Sequence, residues 1–475
     1  MVFEDKISED KISEDKVSEQ KVSEHNILVL DEHTLKDLEI FSTDTEDQTV
    51  FEFCNLARTD GGIQVLKRRM QQPWSDADCI RRTQGAVSFI LSTRSAFDKL
   101  PSAFATGRAE YYAQEVMPII AEENQLEFCL GAFGLWANHS SHYGSIVRGV
   151  QFTSGLIRTL RKFIVQPELG SAQGELAPLV NEMRELLEKP GILKVPDGEV
   201  GSWTFRILRL DQIFRLREKA TMARLLRLVY EMDALVSMAD ITKQHGFVLP
   251  KIEEGPLSVH AEGLIHPFLD KPVANPVELD QTQRVLFLTG PNMAGKTTYL
   301  RAIATALYLG HLGMGVPASA MTFVPAERLF SSLSLSDDLR GGISYFRAEA
   351  LRAKAVAQAI ADGYRVVALM DEPFKGTNVK DALDASLAIL ERFATKPDCL
   401  FMFSSHLIEL SEQLNNKDQI DCRYFEAGEG EGRLSFDYLL RQGVSNQRLG
   451  MRVLEEEGVF ELLDRSARTN RPTSE

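Results

Sequence analysis

The stretch Gly290-Pro291-Asn292-Met293-Ala294-Gly295-Lys296-Thr297-Thr298 decides the fold of the C-terminal half. It fits the pattern G-x-x-x-x-G-K-[ST] and directly follows the apolar run Arg284-Val-Leu-Phe-Leu288. The apolar stretch Tyr299–Leu309 continues it as a helix. Strand, glycine-rich loop and helix in that order are the setting in which this pattern binds phosphate. The glycines let backbone N–H groups wrap phosphate oxygens, and the helix N-terminus adds a favourable dipole. Residues 290–298 are therefore the candidate nucleotide-binding loop. Lys296 would neutralise the β- and γ-phosphates and Thr297 would ligate Mg²⁺, so the expected cofactors are ATP and Mg²⁺.

Two further strand ends carry chemistry. The run Val366-Val-Ala-Leu-Met370 ends in Asp371-Glu372, 75 residues beyond Lys296. Asp371 would hold the Mg²⁺ shell, and Glu372 would polarise the attacking water. The run Cys399-Leu-Phe-Met-Phe403 leads through two serines to His406, a residue placed to sense the γ-phosphate or orient the water. None of the three runs alternates polar with apolar, as expected of strands buried on both faces of a mainly parallel sheet. The predicted fold is an α/β P-loop NTPase domain preceded by a mainly α-helical domain. Lys296, Glu372 and His406 are the candidate catalytic residues, and Thr297 and Asp371 the candidate Mg²⁺ ligands.

Working outward, the chain has 475 residues, 44% of them apolar and 25% charged. That is ordinary globular composition and excludes a collagen-like chain or a disulfide miniprotein. The net charge of −15 disfavours a protein that simply coats nucleic acid with a basic face. Five cysteines without C-x-x-C spacing read as reduced thiols. Residues 302–326 lack Asp, Glu, Lys and Arg. Their glycines, Pro317 and His311 nevertheless argue for a buried helix and turn, not a membrane span. A cytoplasmic protein with no membrane partner is expected. Within the first 25 residues, Lys6-Ile-Ser-Glu-Asp10 recurs as Lys11-Ile-Ser-Glu-Asp15, Lys16-Val-Ser-Glu-Gln20 and Lys21-Val-Ser-Glu-His25, a period of five that matches neither helix nor strand. They read as a solvated tail.

From Leu28 to about Pro250 the pattern is helical. Leu225, Leu228, Met232, Leu235 and Ala239 fall at alternating three- and four-residue steps, with Gly246 as a stop. A single helix from about Asp211 to His245 is predicted, long enough to lever between parts of the molecule. Arg206, Arg209, Arg215 and Arg217 lie in a locally basic stretch around its start. Two readings stay open there: a solvated helix face, or a strip facing a nucleic-acid backbone. These four arginines are the candidate DNA contacts. The expected boundaries are a tail at 1–27, a helical domain at 28–254, a nucleotide-binding domain at 255–463 and a second tail at 464–475.

Several of these motifs resemble those of the MutS mismatch-repair ATPases. Pro291-Asn292-Met293 within the loop is distinctive of that family. Asp337-Asp338-Leu339 with Gly342-Ile-Ser344-Tyr-Phe346 and Glu349 resembles its signature loop. Met370-Asp-Glu-Pro-Phe-Lys-Gly376-Thr377-Asn378 is similar to its Walker B segment, and Ser405-His406 to its switch histidine. Arg58-Thr-Asp-Gly61-Gly62 and Lys243-Gln-His245-Gly246-Phe247 resemble parts of its helical core and lever. The resemblance implies an ABC-like ATPase domain that pairs head to tail in a homodimer, couples ATP turnover to DNA clamping, and places Ser344 against the partner's γ-phosphate. It implies that Asn292 helps bind phosphate within its own loop.

Departures from the pattern set further expectations. The chain is read as a core-plus-ATPase module without the family's mismatch-reading domains, so mismatch specificity is not expected. Val273 stands where the family has an adenine-stacking aromatic, Ala294 replaces a loop glycine, and Pro373-Phe374 replaces the usual Ile-Gly. An alternative function is a nucleotide-switched protein-interaction module without DNA recognition. An ABC- or SMC-type ATPase is opposed by the lack of a Leu-Ser-Gly-Gly signature and by Gly376-Thr-Asn378.

Overall fold

The computed structural model describes residues 26–43, 48–138, 140–201, 205–333, 345–414, 417–430, 433–445, 447, 454–455 and 457–468. The pentapeptide repeat and Ser344 lie outside the described residues.

The C-terminal half is built on a seven-stranded sheet. Its strands, in sheet order, are Val29–Leu30, Arg328–Ser332, Val366–Asp371, Cys399–Ser404, Val285–Thr289, Ile420–Tyr424 and Arg441–Gln442. All neighbours are parallel except the last pair. The three apolar runs are its centre, and they are apolar throughout because both faces are covered. Leu286, Leu288, Val367, Leu369, Leu400 and Met402 face one core. Val285, Phe287, Val366, Ala368, Phe401 and Phe403 face the other. Helix α1 (Lys296–His311) packs into the first core. Helices α2 (Tyr345–Ala361) and α3 (Val379–Phe393) contribute to the second. A smaller four-stranded sheet, Lys251–Ile252, Ala320–Phe323, Val259–Leu264 and Asn275–Leu279 in order, lies beside it.

The first core continues without a break into the helical part, so the two halves share one apolar interior. The Tyr308 hydroxyl donates to the Met70 carbonyl at 2.5 Å, and the Trp74 amide donates to His311 O at 3.0 Å. Val29–Leu30 forms the edge of the large sheet although it precedes the helices. Arg352 of α2 ties it down, donating to Asp31, to the Thr34 hydroxyl at 2.7 Å and to the Ser331 carbonyl at 2.6 Å.

The single helix predicted over 211–245 is interrupted near its start. Phe205–Gln212 is α-helical, Ile213–Arg217 is π-helical, and Lys219–Gln244 resumes the α-helix. Its five periodic residues are all buried, and Gly246 follows it at φ +64°. Asp233 anchors it by accepting from the amides of Arg58 and Thr59 and from the Thr59 hydroxyl at 2.7 Å. That contact accounts for Gly61-Gly62. A Cβ at Gly61 would stand 2.2 Å from the Tyr230 ring, and one at Gly62 would stand 2.3 Å from the Asp233 carboxylate.

Candidate nucleotide site

The loop after Val285–Thr289 turns through backbone that favours glycine. Gly290 has φ +139° and Gly295 φ +100°; Met293, at φ +69°, adopts the same hand. A Cβ on Gly290 would come within 2.7 Å of the Phe425 carbonyl, so only glycine fits there. Pro291 and Ala294 are buried beneath the loop, Asn292 and Met293 are exposed, and Thr298 is half-buried at the start of α1. Lys296 is buried, and its ammonium donates to the carbonyls of Gly290 at 2.8 Å and Pro291 at 3.2 Å. Burial depresses its pKa, with the Glu372 and Asp371 carboxylates opposing that shift.

The structure brings the other strand ends to this loop. The Thr297 hydroxyl and the Ser404 hydroxyl each donate to one oxygen of Asp371. Glu372, at φ +46°, donates its amide to the Ser404 carbonyl at 3.0 Å. Its carboxylate lies 3.8 Å from the Lys296 ammonium and 3.6 Å from Nδ1 of His406. The carboxylate of Glu372 raises the pKa of His406, and the imidazole in turn lowers that of Glu372. Lys296, Thr297, Asp371 and Glu372 line one cavity of about 570 Å³. Such an arrangement can bind a polyphosphate, hold a hard cation between a hydroxyl and a carboxylate, and present a second carboxylate to water. Among the described residues no cluster of three or more His, Cys, Asp or Glu side chains could hold a metal. A hydroxyl beside a carboxylate, as in the Thr297–Asp371 pair, suits an ion that completes its shell with phosphate and water, as Mg²⁺ does.

The sequence reading missed the far wall of the cavity. Val273 does line it, together with His266 and Tyr438. The Tyr438 ring stands beside the loop, 3.2 Å from where a Gly295 Cβ would be. Asn275 staples this segment in place, donating to the Tyr438 carbonyl at 2.9 Å and accepting from the Leu440 amide at 2.7 Å. Burial, aided by Arg301, lowers the His266 pKa to about 4, so its ring is neutral near pH 7. Ser404 was likewise missed as the second hydroxyl on Asp371.

The four candidate DNA-contact arginines do not form one surface. Arg215 is buried and pairs with Asp211, Nε to Oδ1 at 2.6 Å, while its other nitrogens donate to the carbonyls of Met117 and Pro118. It is therefore corrected from a candidate contact to an internal ion pair. Arg209 is half-buried, with its guanidinium 3.7 Å over the Phe128 ring. Arg217 lies 3.2 Å from Glu123, and Arg206 is exposed. The π-helical turn at 213–217 interrupts the α-helical register among them.

Among the described residues no helix is long and apolar enough to cross a membrane. The five cysteines are free.

Comparison with known proteins bears on this site. Residues 286–471 match the family model for MutS domain V. The chain is 34% identical over 238 residues to a DNA mismatch repair protein MutS of Brevibacillus brevis, covering 48% of this chain and 27% of that protein. It is 31% identical over 245 residues to the MutS of Natronomonas pharaonis, covering 50% and 28%. A MutS of Listeria innocua is 31% identical over 252 residues, 52% of this chain and 28% of that protein. The chain thus spans less than a third of the length of these relatives. The C-terminal part of this chain, which carries the loop, the acid pair and the histidine, is similar to MutS domain V and to the matching part of these MutS relatives.

Proposed function

We propose that the protein is a Mg²⁺-dependent P-loop ATPase that couples its nucleotide state to DNA binding. One observation supports this reading: elements far apart in sequence bring Lys296, Thr297, Asp371 and Glu372 to the lining of one cavity, with His406 3.6 Å from Glu372. Lys296 binds the β- and γ-phosphates, exchanging its present carbonyl partners for phosphate oxygens. Asn292 supports the phosphates from within the same loop. Thr297 and Asp371 hold Mg²⁺, which supplies charge neutralisation on the phosphates. Glu372 polarises the attacking water, and His406 senses the γ-phosphate or orients that water. Positioning and electrostatics account for nearly all of such catalysis. Tyr438 offers its ring to the adenine in place of the aromatic absent at Val273.

The family resemblance supports a homodimer in which the ATPase domains complete each other's sites and Ser344 reaches the partner's γ-phosphate. Mismatch specificity is not part of the proposal. The helical domain at 28–254 acts as lever and the domain at 255–463 as motor.

A second reading, a nucleotide-switched protein-interaction module, is favoured by one feature, the burial of Arg215. Titration of labelled duplex and branched DNA with ATP, ADP or no nucleotide, at two salt concentrations, separates the two. The DNA reading expects binding that weakens steeply with salt and changes with nucleotide. Absence of binding at low salt in every nucleotide state overturns it in favour of the second reading. Sizing of the same samples tests the dimer.

A further inference from the structure

Glu349 sits in the second turn of α2, only 3% exposed. Among the described residues, neither of its carboxylate oxygens has a hydrogen-bond partner. A buried carboxylate in that state destabilises a fold, and an apolar side chain would suit the position better on packing grounds alone. Its surroundings suggest a use. The turn Phe374-Lys375-Gly376, which follows Glu372 directly, presents its amides toward the carboxylate. They oppose the rise in pKa that burial causes, while standing outside hydrogen-bond geometry. Phe346, three residues earlier on the same helical face, packs its ring 5.9 Å from that of Phe374. The turn needs holding, because Glu372 at φ +46° and Phe374 at φ +65° both occupy left-handed backbone that these residue types disfavour.

We infer that Glu349 is a positioning residue for hydrolysis: its carboxylate collects the amides of residues 374–376 when nucleotide is bound, and so aims Glu372 into the cavity. Phe346 and Glu349 then grip the turn from one helix, the first by packing and the second by polar contact. The orientation of Glu372 thereby becomes dependent on the position of α2. This inference rests on the hydrolytic reading of the cavity.

The test compares the full-length wild type with Glu372→Gln, Glu349→Met and Glu349→Gln, in thermal melts and in steady-state Mg-ATP hydrolysis. Glu349→Met is expected to melt at or above the wild-type temperature and yet to lose at least about tenfold in kcat, with KM for ATP changed less than about twofold. Glu349→Gln, which keeps one acceptor oxygen, is expected to stay within about threefold of wild-type kcat. Stability and turnover moving in opposite directions is a result that a purely structural role does not produce. Wild-type kcat in Glu349→Met overturns the inference, as does a rise in KM at unchanged kcat, or a melting temperature below wild type. If the wild type hydrolyses ATP and Glu372→Gln does not, such a failure belongs to Glu349 alone. A wild type without hydrolysis overturns the hydrolytic reading, and the inference with it.

Discussion

Replacing Arg215 with alanine removes one half of a buried ion pair whose side chains are 3% and 2% exposed. The guanidinium holds Asp211 with two bonds, at 2.6 and 2.8 Å, and also satisfies the carbonyls of Met117 and Pro118 at 3.1 and 3.2 Å. In the variant, the Tyr112 hydroxyl and whatever water enters are the remaining partners of Asp211. Leaving one charge of a buried pair uncompensated costs about 3–5 kcal/mol. The two abandoned carbonyls place the loss toward the upper end, at about 1 kcal/mol for each bond. Urea unfolding followed by circular dichroism reads this directly. Arg206→Ala, which changes an exposed residue, is the control and is expected to lie within about 0.5 kcal/mol of wild type. The double variant Asp211→Leu/Arg215→Met is expected to lose much less than the single one, because it leaves no unpaired charge. A loss below about 1 kcal/mol for Arg215→Ala would refute the assignment of this arginine to the interior.

Other outcomes follow from the same geometry. Phe374 combines a left-handed backbone with a buried ring, so Phe374→Ala loses the ring and keeps the strain. Phe374→Gly relaxes the strain and should be the less destabilised of the two, by up to about 1 kcal/mol in chemical denaturation; the reverse order would contradict the backbone assignment. Glu372 holds the pKa of His406 above 6.5, and His406 holds that of Glu372 below 4.5. The histidine's share of the pairing is complete below pH 6.5 and fades as pH rises through the raised value. The glutamate's share is complete above pH 4.5 and is lost as pH falls through the lowered value. The pair is therefore whole between pH 4.5 and 6.5, and kcat is expected to climb above pH 6.5 as Glu372 is released toward water. A flat kcat profile from pH 5.5 to 8.5 would count against this linkage. Tyr438→Ala is expected to weaken ATP binding about tenfold in calorimetry while Tyr438→Phe holds it, as loss of a stacking ring requires; equal affinity in all three proteins would remove Tyr438 from the base site.

Much of the sheet and loop was legible because local pattern and tertiary setting agree there. A run such as Val285-Leu-Phe-Leu288 is apolar at every position only if both faces are covered, so composition alone reveals a central parallel strand. Gly290 of the loop follows from the close approach of the Phe425 backbone, and Gly295 from its left-handed φ of +100°. What escaped depends on partners distant in the chain. Tyr438 reaches the cavity because Asn275, 163 residues earlier, holds its carbonyl. Val29–Leu30 is a strand of two residues that exists only against Arg328–Leu329. Arg215 misled for a physical reason. Asp211 and Arg215, four residues apart, match a solvated helical pair, and nothing local says that Tyr112 and the 117–118 backbone close over them.

The central claim, that these strand ends form an ATP-hydrolysing site, is tested most directly by single-turnover hydrolysis and equilibrium binding of Mg-ATP in wild type, Glu372→Gln and Lys296→Ala. The account predicts hydrolysis by the wild type, near wild-type affinity with loss of turnover by at least about a hundredfold in Glu372→Gln, and loss of binding in Lys296→Ala. Turnover by Glu372→Gln at the wild-type rate, or unchanged affinity in Lys296→Ala, would contradict it.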